Sequence, residues 1–236
     1  MKTRVFVVDE HAIVRWGLGA LIARESDLEL CGEAEDCASA TSAVTKLRPD
    51  VVVADIELRG NSGGLELIKN IQAFDAGIKI VVLSGHDESI YALRALRAGA
   101  KAFVSKHEAV AKVLEAVRKV QLGQVFVGDQ VASLLLANMV SGHTPQTDSK
   151  LAGLSDRELE VATLIGTGLA TREISNQLFM SVKTVETHRA HIKAKVNVSS
   201  ASQLVHYCVR WVEDNKRREA RGGSRPPMLQ FPDVGR

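Results

Sequence analysis

Five polar side chains stand at the carboxyl ends of a series of short apolar runs in this chain. They are Asp9 and Glu10 after the first run, Asp55 after the third, Ser84 after the fourth and Lys106 just beyond the fifth. Functional groups gather at the carboxyl edge of an open parallel sheet. Three carboxylates converging there would repel one another unless a hard cation joined them, and Mg²⁺ binds carboxylate oxygens, water and phosphate. The set predicts a magnesium-dependent phosphoryl site, in which Lys106 and the Ser84 hydroxyl hold the phosphoryl group.

The elements that must position these groups alternate along the first half of the chain. Short runs rich in β-branched residues, without strict polar alternation, are typical of strands buried on both faces. They fall at 4–8, 28–33, 51–54, 78–83 and 101–104. Segments with helical spacing lie between and after them, at 12–23, 38–47, 64–73, 88–97 and 108–121. This alternation predicts one compact α/β domain with a parallel sheet covered on both sides.

The second half of the chain shows helix starts and no strand-like runs. The segment 123–150 is predicted to be a linker with a helix at 129–140, because 141–150 is rich in Ser, Thr, Gly and Pro. Ser155 with Glu158, and Ser200 with Gln203, have the spacing of a capping box, and Thr171 and Ser181 mark two further helix starts. Four helices are predicted, near 156–166, 172–178, 182–196 and 201–214. Residues 215–236 are predicted to form a flexible basic tail.

Composition limits the class of protein. The chain has 236 residues, 45% of them apolar, and a formal net charge of +2, so two domains with separate cores are expected. No apolar run approaches the roughly 20 residues that span a bilayer, and acidic residues interrupt the N-terminus before a signal-peptide core is complete. We therefore expect a cytoplasmic protein with no membrane partner. The cysteines are odd in number and form no ligand cluster, so we expect them to be reduced thiols that pack in the core. They are Cys31, Cys37 and Cys208.

Residues 4–122 resemble the receiver domain of two-component response regulators. The resemblance rests on VFVVDEHAIVRWGLGALI, PDVVVADIELRGNSGGLELI, VVLSGHDE and RAGAKAFVSK. It implies a flavodoxin-like sheet of five parallel strands in the order 2-1-3-4-5, within a domain of residues 1–122. It also implies that a sensor histidine kinase phosphorylates Asp55. Mg²⁺ would be held by Asp9, Glu10, Asp55 and the backbone carbonyl of Glu57. Lys106 would contact the phosphate, and Ser84 with Phe103 would form a switch pair in which the ring turns inward.

Two departures from the receiver pattern border this site. Arg59 stands where receivers usually have Pro, and the loop from there to Gly64 is one residue longer. Gly85 replaces the usual Ala after the switch hydroxyl, which admits more backbone freedom. The longer loop puts the lifetime of the phosphorylated state in question.

The second domain, predicted at 151–214, is all-helical and carries a helix-turn-helix pattern. The stretch LSDRELEVATLIGTGLATREISNQLFMSVKTVETHRAHIKAKVNV resembles the DNA-binding domain of the LuxR and NarL/FixJ regulators. The resemblance implies that 182–196 is the recognition helix that enters the major groove of an operator. Candidate DNA-contacting side chains on this helix are Lys183, Thr184, Glu186, Thr187, His188, Arg189, Lys193 and Lys195. Glu186 is of special interest, because a carboxylate accepts from cytosine N4 but repels phosphate. For His188, a local hydrogen bond that supports the helix is an alternative to phosphate binding.

Together these features predict a transcription regulator controlled by phosphorylation. It would bind double-stranded operator DNA as a homodimer through Leu204, Cys208 and Trp211 of the last helix, with RNA polymerase as a further partner. One alternative keeps the fold but makes DNA binding independent of phosphate. Another is an enzyme, such as an aspartyl phosphatase. Such phosphatases of the haloacid dehalogenase type carry a second Asp two residues after the nucleophile, where this chain has Glu57.

Overall fold

The computed structural model describes residues 1–58, 63–85, 88–106, 110–129, 131–133, 136 and 153–222. Strands and helices alternate up to residue 127, and only helices follow. The strands are β1 (Thr3–Val8), β2 (Leu28–Ala34), β3 (Val51–Asp55), β4 (Lys79–Ser84), β5 (Ala102–Ser105) and β6 (Phe126–Val127). The helices of the first domain are α1 (Ala12–Ile22), α2 (Cys37–Leu47), α3 (Gly64–Phe74), α4 (Glu88–Ala98) and α5 (Val110–Gln121). Those of the second are α6 (Asp156–Gly166), α7 (Thr171–Gln177), α8 (Val182–Val196) and α9 (Ala201–Gly222).

The described strands form one parallel sheet in the order β2-β1-β3-β4-β5-β6. The predicted α/β fold and the order 2-1-3-4-5 are confirmed, with one correction. A sixth strand of two residues pairs Phe126 with Ala102 and Val127 with Phe103 at the β5 edge. Two residues are too short a run to produce a strand pattern in the sequence.

The sheet separates two layers of helices because alternate side chains point to opposite faces. The face that carries Val53 packs with Leu18 of α1 and Val117 of α5. The face that carries Val52 packs with α2, α3 and α4, and this apolar cluster continues into the core of the helical domain. All five residues of β3 are buried, and each such valine contributes roughly 1.5–3 kcal/mol. This burial fixes the strand whose last residue is Asp55.

The helix starts of the second domain follow the predicted chemistry in three of four cases. Ser155 accepts from the amide of Glu158, whose carboxylate accepts from the Ser155 amide in return, so the capping box is confirmed. Ser181 caps α8 through the amide of Thr184 at 3.0 Å. A reciprocal pair also joins Ser200 and Gln203. The start predicted at Thr171 differs, since Ala170 is the N-cap and the Glu173 carboxylate accepts from its amide.

The last two predicted segments are the linker helix at 129–140 and the tail at 215–236. Backbone is helical at 129, 131–133 and 136, inside the helix predicted at 129–140, and the other residues of that helix and the stretch 141–150 lie outside the described residues. Helix α9 runs to Gly222, eight residues past its predicted end, because the Lys, Arg, Glu and Ala residues there favour helix. The predicted tail at 215–236 is corrected accordingly. None of the described helices has the length and apolar character needed to cross a lipid bilayer.

Candidate functional site

The carboxyl ends of the strands bring four predicted side chains to one edge of the sheet. Asp55 ends β3 opposite Leu83, and Ser84 ends β4 opposite Ser105, the residue before Lys106. Asp9, Asp55 and Ser84 are each at most 1% exposed. Buried polar groups of this kind need partners, because an unpaired charge in a low-dielectric site is costly. The sequence therefore places a polar cluster where only specific contacts can stabilise it.

Lys106 supplies the positive charge of this cluster. Its ammonium lies 2.6 Å from Asp55 Oδ2 and 2.8 Å from Asp9 Oδ2. Its backbone amide donates to the carbonyl of Ser84 at 2.7 Å, which fixes the start of the side chain. The other oxygen of Asp55 accepts from the amide of Glu57 at 3.0 Å. The lysine predicted to hold phosphate and the aspartate predicted to accept it are thus in direct contact in this structure.

The electrostatics of Asp55 favour a further cation. Burial, against the opposing effect of Lys106 and with a smaller contribution from the charge of Asp9, raises the pKa of Asp55 to about 7. Burial alone would lower the pKa of Lys106, but the charges of Asp55 and Asp9 outweigh it, so that pKa is raised. The lysine therefore stays protonated and compensates only part of the negative charge. An attacking carboxylate must be ionised, so an added cation would favour the reactive form of Asp55.

The chemistry of the donor set fits a hard divalent ion only in part. Asp9, His11 and Asp55 present ligand atoms within 4.8 Å of one another. The pair with Lys106 leaves Asp9 Oδ2 without a well-aligned hydrogen bond, although this oxygen is buried. Glu10 is not in this cluster; its carboxylate lies 3.5 Å from His11 Nε2 instead. Among the predicted ligands, the structure thus brings together the side chains of Asp9 and Asp55.

His11 is the residue that sequence reasoning missed at this site. Its backbone amide donates to Asp9 Oδ1 at 2.8 Å, and its Nδ1 lies 3.1 Å from the same oxygen. The imidazole is about half exposed, with 52% of its side chain open to solvent. The signal was present in the triplet Asp9-Glu10-His11, whose third residue begins the turn into α1. Because Mg²⁺ prefers oxygen ligands, we assign His11 to orienting Asp9 rather than to binding metal.

Both members of the predicted switch pair are buried. Ser84 is fully buried, and Phe103 is 1% exposed within the same apolar cluster as Tyr91. A turn of the Phe103 ring on phosphorylation stays a prediction. Of the two departures from the receiver pattern, Arg59 lies outside the described residues. An alanine at Gly85 would meet only Glu57 Oε2, at 3.8 Å, so packing does not require glycine there.

The recognition helix α8 presents most of its candidate side chains to solvent. Its buried face holds Val185, Ile192 and Val196, while Val182, predicted on that face, is 41% exposed. The exposed candidates are Lys183, Thr184, Glu186 and Thr187, with Arg189 and Lys193 half-buried. Two hydroxyls are already engaged within the helix, Thr184 with Ser181 at 2.8 Å and Thr187 with the carbonyl of Lys183 at 3.0 Å. DNA contact by these residues stays a prediction.

Two of the predicted DNA-binding residues have contacts with, or burial in, their own domain. Lys195 donates to Glu158 Oε2 at 2.6 Å; its side chain is 41% exposed, whereas the Glu158 carboxylate is only 4% exposed. This pair joins α8 to the capping box of α6, and DNA contact by Lys195 stays a prediction. His188 is half-buried and its Nδ1 has no hydrogen-bond partner, so the helix-supporting bond considered for it does not form through that atom. Burial lowers the pKa of His188, which keeps the ring neutral.

The predicted dimer face is also corrected. Leu204 and Cys208 are fully buried and Trp211 is 9% exposed, all within the core of their own domain. The reason is the close approach of α9 to α6, where a Cβ on Gly166 would lie 2.4 Å from Val212. Any dimer contact by this helix must use its outer side, where Val205 is 38% exposed.

Comparisons with known proteins agree with this architecture. The receiver-domain model of response regulators matches residues 5–118, and the model of LuxR-type bacterial regulatory proteins matches 152–208. The oxygen regulatory protein NreC of Staphylococcus aureus is 32% identical over 210 residues, 88% of this chain and 97% of the relative. The chain belongs to the response regulators with a LuxR-type DNA-binding domain. This is the NarL/FixJ group that the sequence motifs indicated, and its members are DNA-binding regulators rather than enzymes.

Solved structures of response regulators are similar to this chain. A LuxR-family response regulator from Aurantimonas sp. SI85-9A1 is 30% identical, with a TM-score of 0.55 over 59% of this chain and 99% of its own. RcsB from Salmonella enterica serovar Typhimurium, bound to promoter P1flhDC in the presence of the phosphomimetic BeF3-, is 25% identical. Its TM-score is 0.60, over 88% of this chain and 98% of its own.

Proposed function

We propose that this response regulator is a transcription regulator switched by phosphorylation of Asp55. The observation that carries the proposal is the buried contact among Asp55, Asp9 and Lys106 at the end of β3. A sensor histidine kinase would supply the phosphoryl group. The phosphorus–nitrogen bond of its phosphohistidine breaks as a bond forms between phosphorus and a carboxylate oxygen of Asp55. The transferred group carries the new negative charge into a site that already holds an ammonium.

Mg²⁺ bound at Asp9 and Asp55, with Glu10 and the carbonyl of Glu57 as further ligands, would neutralise charge on the phosphoryl oxygens. Lys106 already touches the acceptor carboxylate, so a small movement takes its ammonium to the phosphoryl group. The buried Ser84 hydroxyl can donate to a phosphoryl oxygen from the neighbouring strand. Both movements change contacts at the ends of β4 and β5.

The DNA-binding role rests on the exposed face of α8. Lys183 and Arg189 are proposed to hold backbone phosphate, and Glu186 and Thr187 to reach base edges in the major groove. RcsB, a relative with the same two domains, has been solved on a promoter. We propose a homodimer on a two-part operator, working with RNA polymerase in the bacterial cytoplasm, where the DNA is.

The test is phosphorylation of the full chain by acetyl phosphate with Mg²⁺, read by intact mass and peptide mapping. Wild type should gain one phosphoryl group at Asp55, and Asp55→Asn should gain none. Asp214→Asn, which removes an exposed carboxylate of α9, is the matched control and should behave as wild type. Equal incorporation into wild type and Asp55→Asn would refute the site.

The same variants separate the alternative in which DNA binding ignores phosphate. Binding to sheared genomic DNA from the source organism, mapped by sequencing, should strengthen on phosphorylation of wild type only. Identical maps and affinities for phosphorylated wild type and Asp55→Asn would favour the phosphate-independent regulator.

A further inference from the structure

The two domains are in direct contact, through the first helix of the DNA-binding domain. Asp156, the first residue of α6, lies 2.9 Å from the ammonium of Lys69 on α3 and 2.8 Å from the guanidinium of Arg94 on α4. Arg94 also donates to the carbonyl of Leu154 at 2.9 Å. These bonds anchor the start of α6 on the receiver domain.

An uncharged contact extends this anchor along α6. The hydroxyl of Tyr91 on α4 lies 3.3 Å from Thr163 Oγ1, about two helical turns after Asp156 on the same face of α6. Both side chains are buried, with Tyr91 5% and Thr163 8% exposed. Helix α6 therefore rests on α3 and α4 over at least two of its turns.

A second contact sits beside the phosphoacceptor strand. The turn Gly63–Gly64 begins α3, and the amide of Gly64 donates to the carbonyl of Ile56 at 3.1 Å. A Cβ on Gly64 would lie 2.3 Å from the carbonyl oxygen of Asp55. A Cβ on Gly63 would lie 2.3 Å from Glu160 Oε1. One turn is thus packed without a gap between the backbone of Asp55 and a carboxylate of the DNA-binding domain.

Glu160 cannot easily move aside from this turn. Its other carboxylate oxygen accepts from Arg157 Nη1 at 2.5 Å, and the side chain is only 20% exposed. Arg157 in turn donates through Nη2 to the carbonyl of Leu178 at 3.0 Å. Leu178 ends α7 and precedes the turn into the recognition helix. Burial raises the pKa of Glu160 while Arg157 opposes the shift, as expected of a carboxylate enclosed between the domains.

We propose that Glu160 couples the phosphorylation of Asp55 directly to the helix-turn-helix. Movement at the end of β3 displaces the Gly63–Gly64 turn, the turn displaces Glu160, and Arg157 carries the displacement to Leu178. This coupling rests on the proposed function. It is a second route for the phosphorylation signal, besides the switch pair Ser84 and Phe103. The route is distinct from that pair, because it runs through the turn that begins α3 and includes no residue of β4 or β5. The coupling is a contact between packed groups that have no room to absorb the movement.

Gly63 offers a test that needs no phosphoryl group. Its φ of −81° and ψ of −178° suit any residue, so Gly63→Ala adds only a methyl group against Glu160. The full chain with Gly63→Ala should show faster hydrogen exchange in α6 and in residues 171–182, the same change that is expected of phosphorylated wild type. The double variant Gly63→Ala with Glu160→Ala removes the clash and should return both segments to the exchange of unphosphorylated wild type. Persistent fast exchange in the double variant would overturn the contact as the cause.

The second arm asks whether Glu160 transmits the phosphorylation signal. Acetyl phosphate with Mg²⁺ should speed exchange in these segments of wild type by about fivefold or more, the lower end of ordinary couplings between sites. Glu160→Ala should lose most of this response while phosphoryl incorporation at Asp55, read by intact mass, is unchanged. Glu160→Gln keeps the shape of the side chain and should keep the response. Thermal unfolding of each variant shows whether the domain is still folded.

The outcomes separate this proposal from the proposed function. If wild type takes no phosphoryl group at Asp55, the proposed function fails, and the Gly63→Ala arm still tests the contact. If wild type is phosphorylated and Glu160→Ala responds as fully as wild type, the coupling through Glu160 is refuted and the proposed function stands. A Glu160→Gln variant that fails to respond although it folds would likewise refute a coupling by contact.

Discussion

Asp156→Ala should open the contact between the two domains. The Arg94 and Asp156 side chains are 18% and 30% exposed, and a charge-assisted hydrogen bond of this kind contributes roughly 1.5–3 kcal/mol. The Lys69 side chain is 50% exposed, so its pair adds little, about 0.2–1 kcal/mol. The expected loss is therefore about 2–4 kcal/mol. At about 1.4 kcal/mol for each factor of ten, the ratio of open to closed chains should rise about 30- to 700-fold.

Nitration of tyrosine by tetranitromethane measures this ratio, because the chain has only two tyrosines. Tyr91 is buried where α4 meets α6, and its burial raises the pKa of the phenol, so the closed form should resist the reagent. Tyr207 lies on α9 and reports on the fold of the DNA-binding domain. Peptide mass spectrometry gives both rates from one sample.

Asp156→Ala should speed nitration of Tyr91 by the predicted factor and leave Tyr207 unchanged. Glu66→Ala is the matched control, because Glu66 is the other carboxylate near Lys69, at 4.0 Å, and belongs to the receiver domain. It should change neither rate. If Asp156→Ala accelerates nitration of Tyr91 less than about threefold, the ion pairs do not hold the domains together and the reasoning is refuted.

Three further substitutions test the DNA-binding domain. Gly166→Ala places a methyl group 2.4 Å from a side chain and 2.5 Å from a carbonyl of α9; it should cost about 1–3 kcal/mol in the unfolding of this domain, read by thermal melting. Gly17→Ala, with open space around it, is the control. Lys183→Ala should weaken binding to all DNA sequences alike and lower the salt slope by roughly 0.9. Glu186→Ala should relax base preference worth roughly 1–3 kcal/mol, while nonspecific affinity holds or rises; unchanged preferences across an operator library would mean that Glu186 faces solvent.

The phosphoacceptor site could be predicted because its geometry follows from strand order. Parallel strands end at one edge, so Asp9 and Asp55 had to meet once their runs were identified as strands. The direct contact of Lys106 with both carboxylates follows from the same argument. The role of Glu10 as a metal ligand stays a prediction. The contact of His11 with Asp9 Oδ1 was not predicted, because the direction of a side chain in the turn after a strand does not follow from strand order.

The faces of the helices were harder to assign from the sequence. Leu204, Cys208 and Trp211 share one side of α9, and that spacing is the same for a domain core and for a dimer surface. The close approach of α9 to Gly166 places these three residues in the domain core. The sequence does not show which helix packs against a glycine, so this contact could not be predicted. The ion pair of Lys195 was not evident because its partner, Glu158, is 37 residues away.

The contact between the domains was beyond sequence reasoning, because it depends on how two folded units sit against each other. Asp156 and Glu160 look like ordinary solvated residues at the start of an amphipathic helix. Gly63 and Gly64 look like loop glycines. Only the structure shows that the Gly63–Gly64 turn separates Glu160 from the backbone of Asp55.

This contact also changes how control of DNA binding must work. Lys183, Thr184, Glu186 and Thr187 are exposed while the domains are in contact, so the receiver domain does not cover these residues of the recognition helix in this structure. What the contact does restrict is the orientation of that helix. Two recognition helices of a dimer must enter major grooves about 34–36 Å apart on one side of the DNA. A helix-turn-helix anchored through Asp156, Arg157 and Glu160 cannot adjust to this spacing freely. Phosphorylation therefore needs only to release the orientation of a surface that is already open to DNA.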